Sequence, residues 1–261
     1  MSGETLRQRL ASGKPLLSSW IGFPGSHQGE VIARSPFDAM TIDMQHGLMG
    51  FEEMAKLVAA AIRARKPVAV RVPLESFGLV GRALDTGADA VIMPMVNSMQ
   101  EAERLVALAK YPPAGSRSWG AYGALLATGL SSQQYLERAN RLSAAWAMIE
   151  TREALACADA ICSVAGLDGV FVGPGDLTIS LSGGKTVAGK GAETQRAIRD
   201  IARAAQRAGV PAGIFCATPE EARRYAGMGY RFLTIDTDDG LLADACERCV
   251  AAARRLLRTT A

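Results

Sequence analysis

The residues of this 261-residue chain that could do chemistry are few, and most stand where an apolar run ends. Glu150 closes the run Ala144–Glu150, and Asp176 follows Gly169–Val172 in the segment Gly173-Pro174-Gly175-Asp176, one strand-and-helix unit later. Two carboxylates that leave neighbouring strands toward one space, with no Cys or His beside them, suit a hard divalent cation such as Mg²⁺ or Mn²⁺ that keeps several waters. The competing reading is that each acid caps the helix after it. Arg71 ends Pro67–Val72; a guanidinium there is costly to bury unless an anion meets it, and its planar fork fits a carboxylate, whether of a substrate or of a nearby acid. His46 is one of only two histidines, so Ser/His triads and His-rich zinc sites are nearly excluded by count. It follows a strand end with Asp43 just before it, close enough to orient it for proton transfer. Trp20 closes the first apolar run, and Asn97 follows the fourth.

Lysine placement excludes one mechanism. A Schiff-base aldolase on a barrel requires a lysine at the C-terminal end of a strand, where a buried amine can lose its proton. Lys14 and Lys66 precede strand-like runs, Lys56 and Lys110 fall in helical segments, and Lys185 and Lys190 lie in a loop. Any carbanion chemistry then needs a metal as its electrophile. The triplet Gly184-Lys185-Thr186 is not a phosphate-binding loop, because Ile179 stands where that motif requires glycine.

These residues need a frame that brings strand ends together. Strand-like runs occupy Leu16–Phe23, Phe37–Asp43, Pro67–Val72, Ala90–Val96, Ala144–Glu150, Gly169–Val172, Pro211–Cys216 and Arg231–Asp236. Between them lie helical spacings such as Phe51–Arg65, Phe77–Thr86, Gln100–Lys110, Arg152–Val164 and Glu193–Ala208, with a helical start at Thr5–Ser12 and a closing helix over Gly240–Leu257. The strands are apolar along nearly their whole length, as strands covered on both faces are. With no linker to divide the series, the pattern predicts a single (β/α)₈ barrel domain over residues 1–261, whose catalytic groups gather at the strand C-termini. An open doubly wound sheet would carry a glycine-rich fingerprint after its first strand, and Gly22-Phe23-Pro24-Gly25 lacks it. Two long loops, Tyr111–Leu130 and Ile179–Ala192, are candidates for lids.

Composition agrees with a globular chain that can bury a core. Apolar residues make up 49% and charged residues 21%, and the net charge is +3. No basic cluster points to nucleic acid, no apolar run is long enough to span a membrane, and the N-terminus lacks a secretory signal, so a cytoplasmic location is expected. The five cysteines read as reduced thiols, with Cys246-x-x-Cys249 expected as a buried structural pair rather than half of a zinc site.

With these residues in view, the sequence resembles the metal-dependent pyruvate aldolases of the HpcH/HpaI type. The resemblance runs from about Trp20 to about Asp236. It rests on Ser19-Trp20-Ile21-Gly22, Ile42-Asp43-Met44-Gln45-His46-Gly47, Val70-Arg71-Val72-Pro73, Leu84-Asp85-Thr86-Gly87-Ala88, Met93-Pro94-Met95-Val96-Asn97, Tyr111-Pro112-Pro113-Ala114-Gly115-Ser116-Arg117-Ser118, Ile149-Glu150-Thr151 and Val170-Phe171-Val172-Gly173-Pro174-Gly175-Asp176-Leu177. What it implies is a lyase acting on 4-hydroxy-2-oxo acids through a pyruvate enolate. Glu150 and Asp176 would hold Mg²⁺, Mn²⁺ or Co²⁺, Arg71 and the backbone at Gly175 and Asp176 would bind pyruvate, and Trp20 would line the substrate site. His46, supported by Asp43 and Asp85, would relay protons with a metal-bound water. The resemblance also implies oxaloacetate decarboxylation as a side activity, hydroxypyruvate as an alternative donor, and a homohexamer in which the terminal helix packs on a neighbouring barrel. A citramalyl- or malyl-CoA-type lyase of the same superfamily and a non-catalytic keto-acid-binding barrel are the other readings. Two departures stand out. Met148 replaces a pyruvate-touching glutamine found in the heptanedioate aldolases, and no arginine follows the Arg117 turn to meet an acidic aldehyde. Trp119, Tyr122, Leu125 and Leu126 stand there instead, which predicts a preference for neutral aldehydes.

Overall fold

In the computed structural model, which describes residues 4–259, eight strands close into one parallel barrel in sequence order. The strands are β1 (Leu16–Ile21), β2 (Ala39–Asp43), β3 (Val68–Arg71), β4 (Ala90–Met93), β5 (Ala144–Met148), β6 (Gly169–Val172), β7 (Ala212–Cys216) and β8 (Phe232–Thr237). Each connection carries at least one helix, so the predicted (β/α)₈ architecture is borne out. No helix among the described residues is long and apolar enough to cross a membrane.

The barrel interior is filled by unequal partners. Trp20, Trp146, Phe171 and Phe232 project inward opposite Ala39, Ala69, Ala90 and Ala144, and the short helix Leu6–Leu10 closes the lower end with Leu6 and Leu10. Gly169 and Gly213 are required by this packing, because a Cβ at either would strike the ring of Trp146 or Phe171. The aromatic rings form a column. Trp146 lies 5.6 Å from Phe232, Phe232 6.0 Å from Phe171, and Phe171 5.7 Å from Trp20. A second, larger apolar layer joins the outward strand faces to the helices.

The lower rim repeats a local device. Asp38, Asp89 and Asp168 stand just before β2, β4 and β6, and each accepts a backbone N–H from the preceding odd-numbered strand, of Leu17, Val68 and Ala145 respectively, at 2.8–2.9 Å. The same aspartates donate their own N–H groups back to those residues' carbonyls, which fixes register at the strand starts.

Several sequence expectations are corrected. β4 stops at Met93 rather than Val96, because Pro94 offers no N–H and Met95 turns into the left-handed region at φ 53°. The helical reading of Arg152–Val164 splits at Cys157 into Arg152–Ala156 and Ala158–Cys162. The expected loop Tyr111–Leu130 contains a helix, Tyr122–Thr128, ended by Gly129 in a left-handed cap. Cys246 and Cys249 are exposed on the terminal helix Asp238–Thr259, not buried.

Candidate active site

Alternation along β5 places Trp146 and Met148 inside the barrel, so Glu150, next on that face, enters its upper mouth. It is only 1% exposed. Its Oε1 accepts the Met95 backbone N–H at 2.8 Å, which accounts for the left-handed turn at Met95. Oε2 is buried with no partner among the described residues, and Gly173 leaves the space into which it points, since a Cβ at 173 would collide with it. Burial pushes the Glu150 pKa up to about 7; the Met95 N–H opposes this, and Asp176 adds to it. A carboxylate kept dry beside a second carboxylate calls for a cation.

Asp176 lies in the first turn of the helix Pro174–Ser182, whose start at Gly173 has no side-chain cap, so capping does not explain this acid. The N–H groups of Gly175 and Asp176 belong to that first turn and have no intrahelical acceptors, an arrangement suited to an anionic oxygen. Among the described residues no group of three or more His, Cys, Asp or Glu side chains converges for a metal. Glu150 and Asp176 therefore offer a two-carboxylate set, with the remaining positions open to water and substrate oxygens. That suits Mg²⁺ or Mn²⁺ better than zinc.

Arg71 and Asp43 are register partners across β3 and β2. The Arg71 Nε and Nη2 donate to Oδ1 and Oδ2 of Asp43 at 2.8 and 2.7 Å, and both side chains are nearly buried. The fork expected for a substrate carboxylate is thus committed to Asp43, and Nη1 remains outside the pair. Trp20 is 5% exposed; its Nε1 donates to Asp43 at 3.3 Å and its ring lies 4.7 Å from the Arg71 Cζ. Trp20 thus orients this ion pair. Burial raises the Asp43 pKa, but Arg71 and the N–H groups of Gln45 and His46 lower it by more, so this acid stays ionised below its ordinary range. Arg71 and Asp43 also act electrostatically on Glu150, which puts the three in one neighbourhood.

The His46 backbone N–H is tied to Asp43 Oδ1 at 3.3 Å, while its side chain is exposed at the mouth. Asp43 holds the loop that carries His46 rather than the imidazole. Asp85 ends the helix Phe77–Asp85 and belongs to a different cluster, pairing at 2.6 Å with Arg117. Arg117 is buried over the Tyr111 ring, and Trp119 packs 5.5 Å from that ring. The loop after Tyr111 is therefore anchored on the outer helix ring, where Gly120 and Gly123 meet Asp85 and Thr86.

Three contributors escaped the sequence reading: the Met95 N–H, the space at Gly173, and Asp238. Asp238 accepts the N–H groups of Gly22 and Phe23 at 3.0 and 3.1 Å and the Gln28 amide at 2.7 Å, fixing the loop after β1. That loop in turn holds the His46 loop, since Leu48 N–H donates to the Gly22 carbonyl at 2.8 Å. The acidic run Asp236-Thr237-Asp238-Asp239 was the available signal.

The sequence and the fold both have known relatives. The profile described as HpcH/HpaI aldolase/citrate lyase matches residues 24–245. A hydroxypyruvate/pyruvate aldolase of Rhizorhabdus wittichii is 38% identical over 245 residues, spanning 94% of this chain and 96% of the relative. A 4-hydroxy-2-oxo-heptane-1,7-dioate aldolase of Klebsiella pneumoniae is 33% identical over 246 residues, spanning 94% and 92%. The crystal structure of an HpcH/HpaI aldolase from Desulfitobacterium hafniense superposes with a TM-score of 0.87 at 26% identity, covering 96% of both chains.

Proposed function

Because the chain belongs to the HpcH/HpaI aldolase/citrate lyase family, we propose that its barrel mouth cleaves and forms 4-hydroxy-2-oxo acids, with pyruvate or hydroxypyruvate as the donor and an aldehyde as the acceptor. The enzyme is a carbon–carbon lyase, a pyruvate aldolase. The observation that carries the assignment of its site is the buried, unpartnered Oε2 of Glu150 beside Asp176.

Glu150 and Asp176 are the residues that would hold Mg²⁺, Mn²⁺ or Co²⁺. When bound, such an ion supplies a Lewis acid that favours negative charge on the donor's keto oxygen. The chain's own groups do the rest. The first-turn N–H groups of Gly175 and Asp176 hold the donor carboxylate, and Arg71, fixed by Asp43 and Trp20, turns Nη1 to the oxygen where enolate charge develops. In cleavage, His46 takes the proton from the C4 hydroxyl, the C3–C4 bond breaks, and its electron pair passes into the enolate as the aldehyde leaves. A proton then returns to C3. Loss of CO₂ from oxaloacetate yields the same enolate, so decarboxylation is the expected side activity. Asp85 acts at a distance by holding Arg117.

The chain is further proposed to act in the cytoplasm as one domain and to assemble as a homohexamer through the helix Asp238–Thr259. That helix exposes Leu242 and Val250. The deciding experiment is a retro-aldol screen of 4-hydroxy-2-oxo acids coupled to pyruvate reduction. Pyruvate release should stop on chelation and return with Mg²⁺, Mn²⁺ or Co²⁺, and borohydride with pyruvate should leave the enzyme active. Full turnover in a chelated Glu150→Ala/Asp176→Ala protein would overturn the assignment.

A further inference from the structure

At the lower rim the series of aspartates breaks. The position before β8 that would complete it is Arg231, whose N–H donates to the Ala212 carbonyl just as Asp38, Asp89 and Asp168 donate to Leu17, Val68 and Ala145. In the other three places a side-chain carboxylate accepts the facing backbone N–H, but Arg231 has none to offer to Ala212. A cavity of about 750 Å³ opens at this place, lined by Ala212, Arg231, Arg7, Trp146, Leu10 and Met228. Its size is that of sites for small organic ligands, roughly 300–1,000 Å³.

The lining is built for an anion. Among the described residues the side chains of Arg7 and Arg231 make their hydrogen bonds through Nη1 alone, Arg7 to Asn140 and Asp168, and Arg231 to the carbonyls of Ala226 and Tyr230. Each therefore keeps its Nε and Nη2 edge, the one that takes a carboxylate side-on. The one acid in the wall, Asp168, is already met by Arg7 at 2.8 Å, by Lys110 at 2.5 Å and by the Ala145 N–H. Two cations, Arg7 and Arg231, thus line the cavity, and its one acid is already neutralised in part by Lys110 from outside the wall. Trp146 is 1% exposed, and its Nε1 is buried without a partner among the described residues. Leu10 and Met228 give the cavity an apolar side.

We propose that this cavity is a second ligand site, for a small organic acid with an apolar body, whose carboxylate takes the place of the missing fourth aspartate between Arg231 and the Ala212 N–H. It lies at the opposite end of the barrel from Glu150 and has no part in the aldol reaction.

The test is a titration of the metal-loaded enzyme with phenylacetate, an acid without the 2-oxo group that the barrel mouth uses, followed by calorimetry and by indole fluorescence with Trp146→Phe as the control. Saturable binding to one site per chain, undisturbed by saturating pyruvate, is expected. Arg231→Gln should weaken it about tenfold or more through loss of a charge-assisted pair. Gln206→Glu places a negative charge on an exposed residue of the same wall, where folding is not at risk, and should weaken it likewise. Both variants should retain parent aldol turnover without phenylacetate. No saturable binding, displacement by pyruvate, or unchanged affinity in both variants would each overturn the proposal, the last two assigning the binding to the mouth or to the general surface.

Discussion

Gly173 stands against Oε2 of Glu150, so that the smallest side chain at 173 would occupy the space the carboxylate faces. The backbone there, at φ −96° and ψ 98°, is open to any residue, so glycine is needed for room and not for conformation. Gly173→Ala should therefore fold with little change in melting while losing affinity for the divalent ion about ten- to a hundredfold, the scale seen when supporting groups at metal sites are altered. Metal titration beside thermal melting checks this, and parent-like metal affinity would remove Gly173 from the site.

The raised pKa of Glu150 makes two pH dependences. Metal binding requires the carboxylate, so affinity should fall as pH drops through about 7. In the metal-free protein the folded state holds this proton up to about 7 whereas the unfolded chain releases it near the ordinary value of 4.5. The folded state binds more protons across that window, so stability should fall as pH rises through it, and Glu150→Gln should flatten the slope. Urea midpoints measured without metal at about pH 5 and about pH 8 give the comparison.

Removing one member of the Asp43–Arg71 pair leaves the other charge buried. Asp43→Ala should cost about 3–5 kcal/mol in urea unfolding. Arg71→Lys keeps the charge but loses the fork to Asp43 and the flat contact with Trp20, so the pyruvate KM should rise. An unchanged KM would remove Arg71 from donor binding.

His46→Ala tests proton transfer apart from folding. The side chain is exposed, so melting should not move, while kcat should fall by roughly 10²–10⁴ with a smaller change in KM. Near-parental turnover would reassign the proton to another group.

Acceptor choice follows from Arg117. Its side chain is 1% exposed and bound to Asp85, so it is not available to an incoming carboxylate. Neutral aldehydes should exceed succinic semialdehyde in kcat/KM by about one to two orders of magnitude, about 1–3 kcal/mol of discrimination. A preference for the acid would mean that another cation serves it.

How far the sequence reached is clearest at β4 and β5. Apolar runs marked both strands, because strands covered on two faces leave an unbroken signature, and Glu150 was visible as the polar residue that ends one. The turn that serves Glu150 was not, since no residue type announces a left-handed methionine; its cause is a hydrogen bond to a residue more than fifty positions away. The same holds for Arg71. Its type and place were legible, but whether its fork meets a substrate or Asp43 depends on register across two strands. Cys246 and Cys249 were misplaced because apolar spacing on a terminal helix looks the same whether it faces the parent barrel or points away from it.

Asp238 gives the terminal helix a second meaning. This one carboxylate begins the helix Asp238–Thr259 and also ties down the loop whose Gly22 carbonyl anchors the His46 segment. The arm that reaches outward and the rim that carries His46 are thus fastened by a single rivet.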